Sequence, residues 1–274
     1  MRFFDLHCDT LYELTKHEED IFKNELNVSI SSSLRYKPYL GCFAIWIPDN
    51  LRGEEAFELF EKCSSKLEFE VQKYSRYFNQ IKDLEDLETS LELGYPAVIL
   101  TLEGSGALIG DITKVKYMKE KGVKIITLTW NGSCEAGDGI GVENPKGLTY
   151  FGKKLLTEME KYNIIVDVSH ASEKLFYDVY QQATKPFIAT HSNSREVCSH
   201  KRNLTDNQFK CIKEKGGLVG VTFCGSFLSD SKNSGFDDVI KHTEHFLSLG
   251  GEDVVCIGSD FDGAKVPDDL SGLE

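Results

Sequence analysis

Short apolar, β-branched runs recur along the whole chain with helix-like stretches between them, and this alternation is what most narrows the possible folds. The runs fall at residues 3–9, 41–47, 97–103, 123–130, 163–169, 186–191, 217–224 and 254–260, each about the length of a buried strand. Patterns of helical period cover residues 54–77, 84–93, 111–121, 147–162, 172–183, 205–215 and 237–249. Thr205 is placed to cap one of these helices, and Gly216-Gly217 and Gly250-Gly251 to close others. Strands that alternate with helices pair in parallel. Eight such units within 274 residues predict a closed (β/α)8 barrel, the TIM barrel of the α/β class, over an open doubly wound sheet. No linker divides the pattern, so residues 1–274 read as one barrel domain. Residues 261–274 carry no helical pattern. The eighth covering helix is therefore expected to be missing, and the chain reads as a fragment of a longer one.

The charge balance removes several classes of partner. Lys and Arg total 31 against 44 Asp and Glu, a formal charge of -13 with no basic cluster, which argues against nucleic acid and anionic membranes as partners. The eight cysteines include no C-x-x-C pair and several lie inside apolar runs, as small buried thiols do in a reducing compartment. The N-terminus reaches charge too early for a secretory signal, and no run is long enough to span a bilayer. A soluble cytoplasmic protein is expected, with a homodimer as the assembly to test.

In a barrel of this kind the loops after the strands gather at one end, so chemistry is sought at the strand tips. The first strand ends in His7 and Asp9, the third in Glu103, the fifth in Ser169-His170, the sixth in His191 and the eighth in Asp260 followed by Asp262. Alternation along the first strand predicts that His7 and Asp9 share a face and that Cys8 points away. Three of the seven histidines sit at these tips. Three imidazoles and two or three carboxylates exceed the needs of one tetrahedral zinc and suit two metal ions with a bridging carboxylate. Glu103 has the reach and the position to bridge.

The motifs Asp5-Leu6-His7-Cys8-Asp9-Thr10, Leu102-Glu103-Gly104, Asp167-Val168-Ser169-His170, Thr190-His191-Ser192 and Gly258-Ser259-Asp260-Phe261-Asp262-Gly263 follow in order from residue 3 to about 265. This combination resembles the renal (membrane) dipeptidase family of zinc metallopeptidases, in the form of a soluble bacterial-type member. The resemblance implies two Zn2+ ions, or other divalent metals, and a dipeptide substrate cleaved by a metal-bridging hydroxide. It implies His7 and Asp9 as ligands of one ion, His170 and His191 of the other, and Glu103 as the bridge, acting also in catalysis. Asp260 matches the family's proton-handling carboxylate, and Arg202, in Ser199-His200-Lys201-Arg202-Asn203, matches an arginine after the sixth strand. A guanidinium fork suits the free carboxylate of a dipeptide.

The chain departs from the family pattern at two places. Many relatives have a histidine, proposed to steady the oxyanion, where this chain has Leu128-Thr129-Trp130-Asn131, and Trp130 offers only one N–H. An aromatic common after the seventh strand is replaced within Phe223-Cys224-Gly225. Substrate choice therefore rests on Trp130 and Arg202. The alternatives are a metal-dependent hydrolase of a cyclic amide or β-lactam, and a barrel that binds peptides without cutting them.

Three other features read as scaffold. His242-Thr243-Glu244-His245 has neither spacing of the helical metal motifs. Gly137-Asp138-Gly139-Ile140-Gly141 lacks the ends of a nucleotide fingerprint and reads as a flexible loop over the site. Cys8 and Cys198 lack an evident base, and the acidic stretch 54–70 reads as a solvated helix face.

Overall fold

The computed structural model describes residues 1–231 and 233–273. Its strands are β1 (Phe3–Cys8), β2 (Tyr39–Trp46), β3 (Asn79–Gln80), β4 (Ala97–Glu103), β5 (Val123–Thr127), β6 (Ile165–Asp167), β7 (Phe187–Ile188), β8 (Val219–Val221) and β9 (Val255–Ile257). Neighbours pair in parallel in the order β7-β6-β5-β4-β2-β1-β9-β8. The ring closes where Ala189, just past β7, bridges Val219. There Ala189 N–H donates to Leu218 O at 3.0 Å and Gly220 N–H donates to Ala189 O at 2.8 Å. The (β/α)8 barrel predicted from the alternation is the observed fold.

The alternation of side chains explains why the strands read as nearly continuous apolar runs. Along β4, Val98, Leu100 and Leu102 enter the large core shared with the helices, while Ile99 packs inside the ring. The inner plug is Phe4, Leu6, Cys42, Ile99, Ile125, Ile188, Leu218 and Cys256, drawn from strands all round the barrel and from no helix. Both faces are thus buried, as parallel sheets require.

The ladders of β6 to β9 are two or three residues long, shorter than their apolar runs. Beyond Thr127, Asp167 and Ile188 the chain turns toward the mouth, and side chains there take over hydrogen bonds that a longer ladder would have made. β3 escapes the sequence pattern because two residues, Asn79 and Gln80, pairing with the start of β4, leave no periodic signal. In the helix Glu54–Lys73, Ala56, Phe60, Cys63 and Leu67 are buried. Glu70 is also buried, paired with Lys66 at 2.7 Å, so that acidic stretch is not wholly a solvated face.

Past β9 the described residues hold only a short 3-10 turn, Asp268–Leu270. All three residues of β9 are only partly buried.

Candidate metal centre

The plug is topped by a polar layer before the open end. Asp5 accepts hydrogen bonds from His7 N–H at 3.2 Å and from the Ser259 N–H and hydroxyl. Asp167, on β6, repeats the arrangement on the opposite side of the ring. It accepts from Ser169 N–H at 2.9 Å, Thr190 N–H at 2.9 Å, Thr190 Oγ1 at 2.7 Å and Thr127 Oγ1 at 2.6 Å. Each carboxylate holds together two neighbouring strand ends, β1 with β9 and β6 with β7. Each sits two residues before a backbone N–H that donates to it, that of His7 or of Ser169.

Above this layer six side chains converge. His7 Nε2 lies 3.4 Å from Asp9 Oδ2, 3.8 Å from Glu103 Oε2 and 3.9 Å from Asp260 Oδ1. Glu103 turns its other oxygen the opposite way, with Oε1 2.9 Å from His170 Nε2 and 3.5 Å from His191 Nε2. Three ligand-type groups result: His7, Asp9 and Glu103; Glu103, His170 and His191; and His7, His191 and Asp260. In each group the donor atoms lie within 4.8 Å of one another. Glu103 belongs to the first two and offers one oxygen to each.

His7 and Asp9 share the site for a reason that simple alternation did not anticipate. Phe4 and Leu6 already point into the plug, so a regular strand would turn His7 outward. A register shift between Asp5 and Cys8 reverses the alternation, directing His7 to the mouth and Cys8 into the outer core. Asp9 is not in the strand at all; it is the N-cap position of the helix Thr10–His17. His170 and Asp260 both adopt left-handed backbone, with φ of 65° and 64°. Such conformations cost on the order of 1 kcal/mol or more for non-glycine residues and persist where the surroundings enforce them. Here His170 O accepts from Ile140 N–H at 2.8 Å and Asp260 N–H donates to His7 O at 3.0 Å.

The proton positions can be read from the second partners of the two histidines. Thr190 Oγ1 gives its single proton to Asp167, so its contact with His191 Nδ1 at 2.8 Å requires that Nδ1 carry the hydrogen. His170 Nδ1 likewise donates to Asn131 Oδ1 at 2.9 Å. Both Nε2 atoms are therefore bare lone pairs, yet they lie 2.9 Å apart and both face Glu103 Oε1. Two bare imidazole nitrogens and a carboxylate oxygen this close form a ligand set that a cation would join; without one, the buried Glu103 carboxyl keeps a proton among them. On the other side, His7 Nε2 and Asp9 Oδ1 are buried with no hydrogen-bond partner. The donor set fits metal ions on both sides of Glu103.

Electrostatics agree with that division. Burial drives the imidazoles of His170 and His191 well below the usual range, reinforced by the charges of Arg202 and His7. Burial also acts against a charged His7, but Asp9, Glu103 and Asp260 outweigh it and lift its pKa to about 10. Burial pushes the Glu103 carboxyl well above its ordinary value, and that of Asp260 to about 6.

Arg202 is 7% exposed. Its Nη2 donates to His191 O at 3.2 Å, its Nε is buried without a partner, and its guanidinium lies 5.4 Å from the Phe227 ring centre. A cavity of about 1000 Å3 opens above the cluster, lined among others by Asp9, Glu103, Trp130, His170 and Asp260. Trp130 sits 5.9 Å from the His170 ring and 5.0 Å from Trp46. Asp262 also lines the cavity, but it belongs to none of the ligand groups and accepts from Thr10 Oγ1 at 2.6 Å and from Asn27 N–H at 2.7 Å.

A family model described as membrane dipeptidase (Peptidase family M19) matches residues 1–274. The chain belongs to that family. Membership makes it a metallo-dipeptidase, a hydrolase of peptide bonds. The barrel superposes on a metallo peptidase from Rhodobacter sphaeroides liganded with a phosphinate mimic of the dipeptide L-Ala-D-Ala, with TM-score 0.92 and 26% identity, covering 100% of this chain and 89% of that one. It superposes equally on the dipeptidase AC, a metallo peptidase, with TM-score 0.91, 28% identity and the same coverage. A protein in the pqqA 5' region of Klebsiella pneumoniae is 35% identical over 198 residues, 69% of this chain and 73% of its own length. Despite the family's name, no helix among the described residues of this dipeptidase is long and apolar enough to cross a membrane.

The remaining sequence features of the dipeptidase resolve as scaffold. His242 is fully buried, accepting from Ser194 N–H at 3.1 Å and donating to Leu228 O at 2.9 Å, while His245 pairs with Asp206 at 2.7 Å. The glycines of residues 137–141 allow close approach. A Cβ on Gly139 would lie 2.0 Å from Trp130 O, and Gly139 bridges Ala171. That segment packs beneath Asn131 and is not a free flap. Cys8 is fully buried, and burial raises its thiol well above the usual range. Sequence reasoning passed over Asn131, Thr190, Asp167 and Asp5, whose roles depend on partners distant in the chain. Of these only Asp5 and Asp167 left a trace, an Asp two residues before His7 and before Ser169.

Proposed function

We propose that this enzyme hydrolyses dipeptides with two zinc ions, one held by His7, Asp9 and Glu103 and the other by Glu103, His170 and His191. The observation that carries the reading is that Glu103 Oε1 and the bare His170 Nε2 and His191 Nε2 face one another at 2.9–3.5 Å. The ions would polarise the scissile carbonyl and lower the pKa of water at the site toward about 7.

The chain's own groups supply the rest. Asp260 Oδ2 receives a long contact from Thr222 Oγ1 at 3.4 Å, while Oδ1 is turned to the cluster, 3.9 Å from His7 Nε2. That oxygen accepts the proton of the attacking water and returns it to the leaving amine. Arg202, with Nε lacking a partner, fixes the substrate's C-terminal carboxylate. Trp130 bounds the substrate cavity near His170. The dipeptide mimic bound by the Rhodobacter sphaeroides relative supports this class of substrate. The eight cysteines, all free, support a reducing, cytoplasmic setting.

Metal analysis together with chelation tests the reading. Two ions per chain are expected, with hydrolysis of a dipeptide panel abolished by a chelator and restored by zinc. Cleavage of cyclic amides or lactams in place of dipeptides, or full activity after metal removal, would overturn it.

A further inference from the structure

The cavity above the cluster has two unlike walls. Both tryptophans of the chain, Trp46 and Trp130, line it and meet edge-on at 5.0 Å. Tyr12 continues the same face, edge-on to Trp46 at 5.2 Å. The facing side carries Ser226, Ser231 and Ser234 beside Cys224 and Phe227, with Lys265 and Asp268 also in the lining.

The strand order puts these walls across the mouth from one another. Trp46 ends β2, and Tyr12 and Trp130 follow β1 and β5. Arg202 lies after β7, and Cys224 and Phe227 after β8. Around the ring β1, β2, β4, β5, β6, β7, β8, β9, the strand facing β2 is β7 and the strand facing β4 is β8. Glu103, at the tip of β4, and its histidine partners lie between the two sides.

A dipeptide has a direction, and its extended length is only ~7 Å. With its carboxylate held at the Arg202 side and its peptide bond over the Glu103 cluster, its N-terminal residue extends toward the aromatic wall. The acidic residues on that side, Asp9 and Glu13, suit the free ammonium group. An aromatic face offers large apolar area, and a further ring can meet it in the edge-on or offset arrangements that aromatic pairs prefer.

We infer that Tyr12, Trp46 and Trp130 form the pocket for the side chain of the substrate's N-terminal residue, so that the enzyme selects dipeptides beginning with an aromatic or large apolar residue. The C-terminal residue, lying along the serine-rich wall, is small or polar in the preferred substrates. The inference rests on the dipeptidase reading and on the orientation set by Arg202.

The isomeric pair Phe-Gly and Gly-Phe tests it, with Ala-Gly as reference, on the metal-loaded enzyme. The expected kcat/KM for Phe-Gly exceeds those for Gly-Phe and Ala-Gly by about tenfold or more, the scale on which apolar pockets discriminate. Trp130→Ala should shrink the Phe-Gly to Ala-Gly ratio by about tenfold. Trp46→Leu applies the same test should the first variant fail to fold. Because both tryptophans stand in this wall, Phe-Gly should also perturb intrinsic fluorescence at lower concentration than Gly-Phe does. Gly-Phe cleaved as well as Phe-Gly, or a ratio indifferent to both substitutions, overturns the pocket assignment and leaves the dipeptidase reading intact. Failure to cleave any dipeptide overturns both.

Discussion

His191 and Asp167 do not touch, yet a single hydroxyl joins them: Thr190 Oγ1 lies 2.8 Å from His191 Nδ1 and donates to Asp167 Oδ2 at 2.7 Å. The carboxylate dictates which way that hydroxyl points, and the hydroxyl dictates which imidazole nitrogen is bare. Asp167→Asn should upset this order without changing shape. An amide NH2 turned to Thr190 lets the hydroxyl donate to His191 Nδ1 instead, placing the ring proton on Nε2, where a metal would bind. Zinc affinity measured against a competing chelator should fall by about 10–100-fold. Unchanged affinity would show that His191 takes its orientation from packing alone.

Metal binding at His7 should expel a proton. In the metal-free fold burial opposes its charge, but Asp9, Glu103 and Asp260 hold the imidazole protonated up to about 10. Its folded pKa is raised, so its contribution to stability is complete below 6.5 and is lost as pH climbs toward 10. The Glu103 carboxyl, raised by burial, acts with the same sign, because ionising it inside the fold costs stability as pH rises. The melting temperatures of chelated and zinc-loaded protein should therefore diverge as pH increases from 6.5. A gap that narrows with pH would contradict the assignment.

The path from sequence to site was clearest where one strand sufficed. β4 is observed at Ala97–Glu103, the residues its apolar run marks, and its last residue is the carboxylate at the centre of the cluster. His7 and Asp9 were legible as a pair, but their shared orientation comes from a bulge and a helix cap, neither encoded in a two-residue period. Asn131 was illegible. Its role exists only because residues 137–141 pack beneath it and His170 turns left-handed to meet it. Trp46 was equally hidden, being one more apolar residue in a β-run until the barrel brings it to Trp130.

Gly139 offers a direct test of that packing. A methyl group there would lie 2.0 Å from Trp130 O and 2.6 Å from the Asn131 carbonyl, both backbone atoms that cannot step aside. Gly139→Ala should lower stability by about 1–3 kcal/mol through overpacking. By displacing Asn131 from His170 Nδ1, it should also weaken zinc binding. Thermal melts and chelator competition read the two effects separately. A stable variant with unaltered affinity would remove Asn131 from the support of His170.

Asp260 stands close enough to the cluster to be read in two ways. Its Oδ1 groups with His7 and His191 as a ligand set, yet lies 3.9 Å from His7 Nε2, farther than Asp9 or Glu103. Burial raises its pKa to about 6, the range in which a carboxylate can both take and return a proton near neutrality. Asp260→Asn keeps the volume and the Thr222 contact but removes the proton acceptor. Two zinc ions per chain should remain, with kcat reduced by about 10²–10⁴-fold, the usual contribution of a positioned acid–base group. Substrate binding, read from tryptophan fluorescence, should be largely retained. Loss of one ion from this variant would instead make Asp260 a ligand, and retention of kcat would take it out of the reaction altogether.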